Sequence, residues 1–519
     1  MWAGRHAGTW ALRLATVATA AAALKIDSGP QWQSVDQDHE GVRQGSQFGW
    51  KPVHRNWHDH GQVLTDGQGY RQTMRNFGDT QYLSYFTLGG QTMAGILDTG
   101  SFELVVFSKI CATCGKASRY DPSLSETHRA GSMFAGQYYG SGETWSQDAS
   151  DEMLLGPYRV NQSFWEVSKA KMPVLLASEF HAIIGLGPPE TPAKDAWEAA
   201  ARSARNVSAV LSTVGEVDNA TLQAARNKAK IAVAMGKRST VLKTMDENMF
   251  SVCIGKDPGS DGVLVWNDTS VALYPQLFHK VPVIGRNSWS VKAHNARLAY
   301  VKNATESRST NGAEADGEEE SFQNSTSINL GCEDGCGVLL DSGTSLLAVP
   351  HTVINRLVQL IASPNLNCSN MWELPHLVFD LNGKTFSLPP DVYVSEVSYA
   401  VPSYMQSFVR LRHLGAEAQR PGRRCDLLVM ESYAKSDAGP LWIFGMPFFR
   451  KYYTSFAVGL NASERALHLA GSTPACTPTK RRVEVHDGPS DMWTRIIDPT
   501  QLWMPSSVQL AATTQYVRL

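Results

Sequence analysis

Short apolar runs punctuated by turn residues fill the middle of the chain and predict strands more often than helices. Ala94–Leu97 and Gly337–Leu340 are each bounded and of the length of a buried strand. Tyr82–Leu88 alternates apolar and polar residues, and Gly89-Gly90 turns it into the strand that ends at Asp98. Phe250–Ile254 is β-prone, and Leu374–Leu388 splits into two strands about Asn382-Gly383. Helical patterning is confined to three stretches. Ala196–Leu211 and Leu222–Met235 are rich in Ala, Arg, Lys and Leu, with Asn219 as candidate N-cap. In residues 351–362, Val353, Ile354, Leu357 and Leu360 recur near helical spacing.

Toward the ends the pattern changes. Arg5, His6 and Arg13 precede Leu14–Leu24, an Ala-rich apolar stretch too short for a bilayer span, which reads as a cleaved signal peptide over residues 1–24. Residues 25–75 are polar and loop-like; their place between a signal and the first apolar run makes them an expected prosegment. They carry His39, His54, His58 and His60, which gain charge on acidification, so release of this segment is expected to be pH-linked. Residues 473–519, with Lys480-Arg481-Arg482, Trp493 and Trp503, read as a floppy tail ahead of a docking or sorting segment.

Composition narrows the class. With 519 residues, 43% of them apolar and 18% charged, the chain can bury more than one core. A formal net charge of −2 gives no case for nucleic acid or an anionic membrane as partner. After signal removal no stretch reaches transmembrane length.

The candidate chemistry lies where the two buried strands end. Leu97-Asp98-Thr99-Gly100-Ser101 and Leu340-Asp341-Ser342-Gly343-Thr344-Ser345 each lead an apolar run into a carboxylate, a hydroxyl and a glycine. One such triplet is an ordinary turn. Two copies, each after an apolar strand, read as one half-site built twice. An acid at the mouth of a buried strand is costly unless paired, and two carboxyls sharing one proton meet that cost because both cannot ionise side by side. The ionised member can take a proton from water while the protonated one donates to a peptide carbonyl oxygen. Gly100 and Gly343 allow close backbone approach, and each hydroxyl can bond across to the opposite loop.

On these motifs the chain resembles the pepsin-like aspartic proteases over residues 76–472. The shared-proton description is the one already known for that family's carboxylate pair. The resemblance implies a mainly β, bilobal double-barrel fold with a few helices and an interlobe sheet. Residues 76–258 would form the N-terminal lobe and 259–472 the C-terminal lobe. It implies Asp98 and Asp341 as the catalytic pair, Ser101 and Thr344 bonding their outer oxygens, and Thr99 and Ser342 locking the loops. Asn76–Tyr82 resembles the start of a mature enzyme. Tyr138–Glu143 resembles the flap, with Tyr139 against substrate and Gly140 and Ser141 offering backbone hydrogen bonds. Ile183-Ile184-Gly185 and Ile443-Phe444-Gly445 resemble the strands threading beside each acid, and Phe250–Ile254 the start of the interlobe sheet.

The chain also departs from that family. Val105 stands where a tryptophan usually bonds the flap tyrosine, leaving Tyr139 to find another partner, with Trp145 a candidate. Met446 replaces an acid that helps set the pH response, and His181 takes another acid's place in a structural role. From Pro188 to Met245 the chain is longer than its relatives, and Glu314–Glu320 is an acidic run expected to be disordered or processed.

Eight cysteines fit an oxidising compartment. Cys111/Cys114 and Cys332/Cys336 are close pairs that could hold metal or do redox chemistry, but no ligands of matching spacing accompany them. The family places small disulfide loops at both points, and Cys368–Cys425 resembles its third bridge; Cys253 and Cys476 remain and are expected to pair. Sequons at Asn161, Asn206, Asn219, Asn267, Asn303, Asn324, Asn367 and Asn461 accord with secretory passage.

The resemblance implies a monomeric aspartic endopeptidase that cuts polypeptides beside apolar residues, uses no metal or other cofactor, and is secreted or held in an acidic vesicle. The insertions and Pro447–Tyr453 also resemble secretory proteases of apicomplexan type. Two rivals remain: a catalytically silent peptide-binding relative, favoured by Val105 and Met446, and a disulfide-rich adhesion ectodomain, which would leave the duplicated acids without a task.

Overall fold

The structure is a computed structural model and describes residues 62–63, 69–176, 179–301, 325–361, 370–398, 424–482 and 495–503, with Phe322 and Cys368. The expected signal peptide, the four histidines at 39, 54, 58 and 60, the acidic run 314–320, Trp493 and the sequons at Asn303, Asn324 and Asn367 lie outside the described residues.

The molecule is mainly β, as the apolar runs predict. Strand Gln91–Asp98 pairs antiparallel with Gln81–Leu88 and parallel with Ala182–Gly185, in the register Gly95↔Ala182 to Asp98↔Gly185. Strand Cys336–Leu340 repeats this arrangement, running parallel to Gly439–Phe444 in the register Gly337↔Leu441 to Leu340↔Phe444. Each strand is flanked by neighbours, so its residues are apolar without alternation. The first lies in a sheet of 15 strands and the second in one of nine.

The 15-stranded sheet also joins the two halves of the chain. Tyr70–Phe77 pairs with Gly262–Trp266, which pairs with Met249–Ile254, which pairs with Tyr452–Ala457. Aromatic packing centres on Phe250, stacked on Phe456 with centroids 4.8 Å apart and set edge-on to Trp289 at 6.2 Å. The Cys253–Cys476 disulfide ties the same region. The remaining cysteines pair as Cys111–Cys114, Cys332–Cys336 and Cys368–Cys425.

Strand Tyr70–Phe77 begins inside the stretch expected to be loop-like prosegment up to residue 75. Its polar side chains are employed within the sheet. Gln72 is buried, donating Nε2 to the Tyr85 carbonyl at 3.0 Å and accepting the Trp266 indole N–H at 2.6 Å. Hydropathy therefore hides the strand.

The insertion is a pair of helices, Thr191–Val214 and Asn219–Met235, longer at their starts than expected. The N-cap is Asp218, whose Oδ1 accepts the Thr221 N–H at 2.8 Å; Asn219 is the first helical residue. Helix His351–Ile361 buries Val353, Ile354 and Leu357. Between His376–Leu381 and Lys384–Leu388, Asn382 and Gly383 have φ of 46° and 77°, the two positive values of a hairpin turn.

The tail departs most from expectation. Residues 495–503 are packed into the molecule, with Ile496–Ile497 running parallel to Val394–Val397 and Leu502 and Trp503 fully buried.

Candidate active site

Asp98 and Asp341 are delivered by the ends of the two equivalent strands. The Asp98 carbonyl accepts the Leu186 N–H at 2.7 Å, and the Asp341 N–H donates to the Phe444 carbonyl at 3.0 Å. Both side chains are completely buried.

The two loops are fastened reciprocally. Thr99 Oγ1 donates to the Leu340 carbonyl at 2.9 Å and accepts the Ser342 N–H at 2.9 Å. Ser342 Oγ donates to the Leu97 carbonyl at 2.6 Å and accepts the Thr99 N–H at 3.1 Å. Each hydroxyl satisfies a carbonyl and an N–H of the opposite strand end that would otherwise be buried without partners.

Each carboxyl is then oriented by its own loop. Asp98 Oδ2 accepts from Ser101 Oγ at 2.6 Å and Oδ1 from the Gly100 N–H at 2.8 Å. Asp341 Oδ2 accepts from Thr344 Oγ1 at 2.9 Å and Oδ1 from the Gly343 N–H at 2.8 Å. The glycines set the approach of one half to the other. A Cβ on Gly100 would stand 2.3 Å from Asp341 Oδ2, and one on Gly343 2.3 Å from Asp98 Oδ1.

Burial pushes both carboxyls up from the ordinary aspartate range. Asp341 goes well above it, because burial is joined by the charge of Asp98 and by a hydrogen bond between the carboxyls. Asp98 is held lower by the bonds from Ser101, Asp341 and the Gly100 N–H. Both shifts run in the direction expected of two carboxyls that share one proton.

Tyr139 ends strand Arg129–Tyr139, Gly142 opens strand Gly142–Leu155, and Gly140-Ser141 form the turn between them. Tyr139 and Ser141 are buried at 3% and 2% exposure. Burial, joined by the charge of Asp98, raises the Tyr139 phenol well above its usual value. Val105 is buried in the same apolar cluster. The ring that meets Tyr139 is Trp503, at 5.4 Å between centroids. Trp145 instead lies 37% exposed beneath Lys169 Nζ, 5.2 Å from the ring centre.

His181 Nδ1 accepts the Ala94 N–H at 3.0 Å, and burial lowers its pKa to about 4, so the ring is neutral and holds the strand that carries Asp98. Met446 is fully buried at the start of helix Met446–Lys451, its N–H donating to the Thr344 carbonyl at 2.9 Å. No group of three His, Cys, Asp or Glu side chains among the described residues could hold a metal ion.

From the sequence, no site role is expected of Ser345, the last residue of the second motif, or of residues 495–503, which read as part of a floppy tail. Ser345 Oγ donates to the Thr80 carbonyl at 2.6 Å and accepts the Trp503 N–H at 2.8 Å, while its own N–H donates to the Trp503 carbonyl at 3.1 Å. Ser345 ends the second motif and could have been found there. The tail offers no periodicity that marks it.

The comparisons agree with this geometry. Residues 81–467 match the family model for eukaryotic aspartyl protease. Renin of Ovis aries is 24% identical over 400 residues, covering 74% of this chain and 79% of its own length. Pepsin-3 of Oryctolagus cuniculus is 25% identical over 397 residues, covering 74% and 80%. Cathepsin D of Clupea harengus is 25% identical over 402 residues, again covering 74% and 80%. With the family model spanning most of its length, the chain belongs to the eukaryotic aspartyl proteases.

Proposed function

We propose that Asp98 and Asp341 carry the hydrolysis performed by this aspartic endopeptidase. Asp98, ionised, takes a proton from a water molecule as that water attacks the peptide carbonyl carbon, and Asp341 gives its proton to the carbonyl oxygen. The resulting tetrahedral diol collapses as its C–N bond breaks: the nitrogen leaves with the proton that Asp98 took from water, Asp341 regains a proton from a diol hydroxyl, and no covalent enzyme intermediate forms. One observation carries this assignment: four hydrogen bonds between Thr99, Ser342 and the opposite strands hold two buried carboxyls in mirrored settings.

Ser101, Gly100, Thr344 and Gly343 fix the carboxyl orientations. Tyr139, Gly140 and Ser141 cover the substrate, with the two turn residues bonding its backbone. The apolar cluster that includes Tyr139, Phe180 and Val105 supports a preference for apolar side chains beside the cut bond. Because one chain supplies both acids, a monomer suffices. Four disulfides and exposed sequon asparagines at positions 161, 206, 219, 267 and 461 support the secretory pathway, with the enzyme secreted or held in an acidic vesicle.

A quenched peptide with apolar residues about its cleavable bond, assayed from pH 3 to 7, tests the reading. Turnover blocked by a statine-containing peptide is expected; binding of that peptide without turnover at any pH would instead mark a silent peptide-binding relative.

A further inference from the structure

We propose that residues Arg495–Trp503 occupy the peptide-binding groove of their own chain and must be displaced before substrate is cut. The inference rests on the reading above that substrate lies along Asp98 and Asp341 beneath Tyr139, Gly140 and Ser141. After a 3-10 turn at Pro499–Gln501 the end of the segment is held as an extended peptide would be. Leu502 is extended, with φ −64° and ψ 130°. The Gln501 carbonyl accepts from Gln81 Nε2 at 2.6 Å, and Trp503 exchanges two hydrogen bonds with Ser345, the residue following Thr344. Three of these contacts use only the segment's backbone, so any extended chain could make them.

The side chains add the selectivity. Trp503 is fully buried, its ring 5.4 Å from Tyr139 and 5.2 Å from Phe180. Leu502 enters the other half, clustering with Leu339, Leu346 and Ile443. The segment thus joins apolar clusters of both halves, with Trp503 bonded to Ser345, four residues past Asp341. A substrate running past Ser345 toward Asp341 needs the space the indole fills.

An anchor upstream keeps the segment in register. Arg495 is 4% exposed, with Nη1 2.9 Å from Asp391 Oδ2 and Nη2 donating to the Lys256 carbonyl. Its Nε lies 3.8 Å from Asp79 Oδ1. Tethering gives such a segment a local concentration in the millimolar range, enough for modest contacts to win against dilute substrate. The groove's preferred ligand is accordingly an extended peptide that places an aromatic side chain between Tyr139 and Phe180.

The test uses the full chain and Trp503→Ala, with Trp503→Leu as a milder change should the first fail to fold. Occupancy predicts that KM falls about tenfold or more while kcat holds, since apparent affinity scales with the open fraction. The acetylated, amidated peptide of residues 498–503 should then compete against substrate in the variant. In the unaltered chain, hydrogen exchange across residues 496–503 should rise when a statine-containing peptide binds. A folded variant with unchanged or raised KM, or exchange that slows on ligand binding, would overturn the proposal and make Trp503 a fixed wall of the site. If no form hydrolyses peptide, affinity for the statine peptide decides. Tightening in the variant keeps the occupancy and rejects only the hydrolytic reading, whereas no tightening rejects the occupancy as well.

Discussion

Thr99 and Ser342 each donate to a carbonyl, and accept an N–H, at the opposite strand's end, so the two halves of the site are registered by two side-chain oxygens. Replacing Thr99 by Val keeps the shape and strands the Leu340 carbonyl and the Ser342 N–H. Leaving buried polar groups unpaired costs about 1–3 kcal/mol each. Urea unfolding of T99V should show a loss of that order, with kcat down at least tenfold as the carboxyls lose register.

Gly100→Ala and Gly343→Ala should be inactive even where they fold. Each added methyl would sit 2.3 Å from an oxygen of the opposite carboxyl, closer than any real contact. Turnover falling below detection, beside an unaltered circular dichroism spectrum, is the expected pair of readings.

Acid should weaken the fold through its histidines. Burial lowers His181 from 6.5 to about 4, and His468 likewise to about 4. Between those values the unfolded chain binds protons that the folded one does not, so stability falls as pH drops from 6.5 toward 4. Asp341 works in the opposite sense. Its raised pKa makes the folded chain hold a proton that the unfolded chain releases, a contribution lost as pH rises through the folded value. Urea midpoints of a His181→Gln, His468→Gln double variant at pH 7 and 4.5 should lie closer together than those of the unaltered chain.

The Cys253–Cys476 bridge closes a sequence separation of 223 residues across the sheet that joins the halves. Constraining so long a loop in the unfolded chain is worth about 5 kcal/mol on chain entropy alone, though measured effects run lower. Replacing both cysteines by Ala should lower stability by about 2–5 kcal/mol in chemical denaturation, with the carboxyl pair still competent at low temperature.

Much of this was legible because it is local. Apolar runs before Asp98 and Asp341 mark strands buried on both sides, and Asn382-Gly383 marks a turn that only residues tolerant of positive φ can make. What the sequence hid depends on partners far along the chain. Gln72 looks like a loop residue until Tyr85 and Trp266 take up both ends of its amide. Trp503 looks like part of a loose tail until Ser345 bonds both its backbone groups. The Asn219 cap was misplaced by one residue, because Asp218 offers the same chemistry one step earlier. Val105 marked a missing indole, but Trp145, the candidate partner for Tyr139, lies exposed by Lys169 and the ring that meets Tyr139 is Trp503.

The central claim is that Asp98 and Asp341 together hold one proton and divide the work of base and acid. Hydrolysis of a quenched peptide by Asp98→Asn and by Asp341→Asn, each shown to be folded and measured from pH 3 to 7, tests it most directly. Each variant should lose at least about a thousandfold in kcat, within the 10²–10⁴ that one general acid or base contributes. Turnover within a few fold of the unaltered chain in either variant would contradict it.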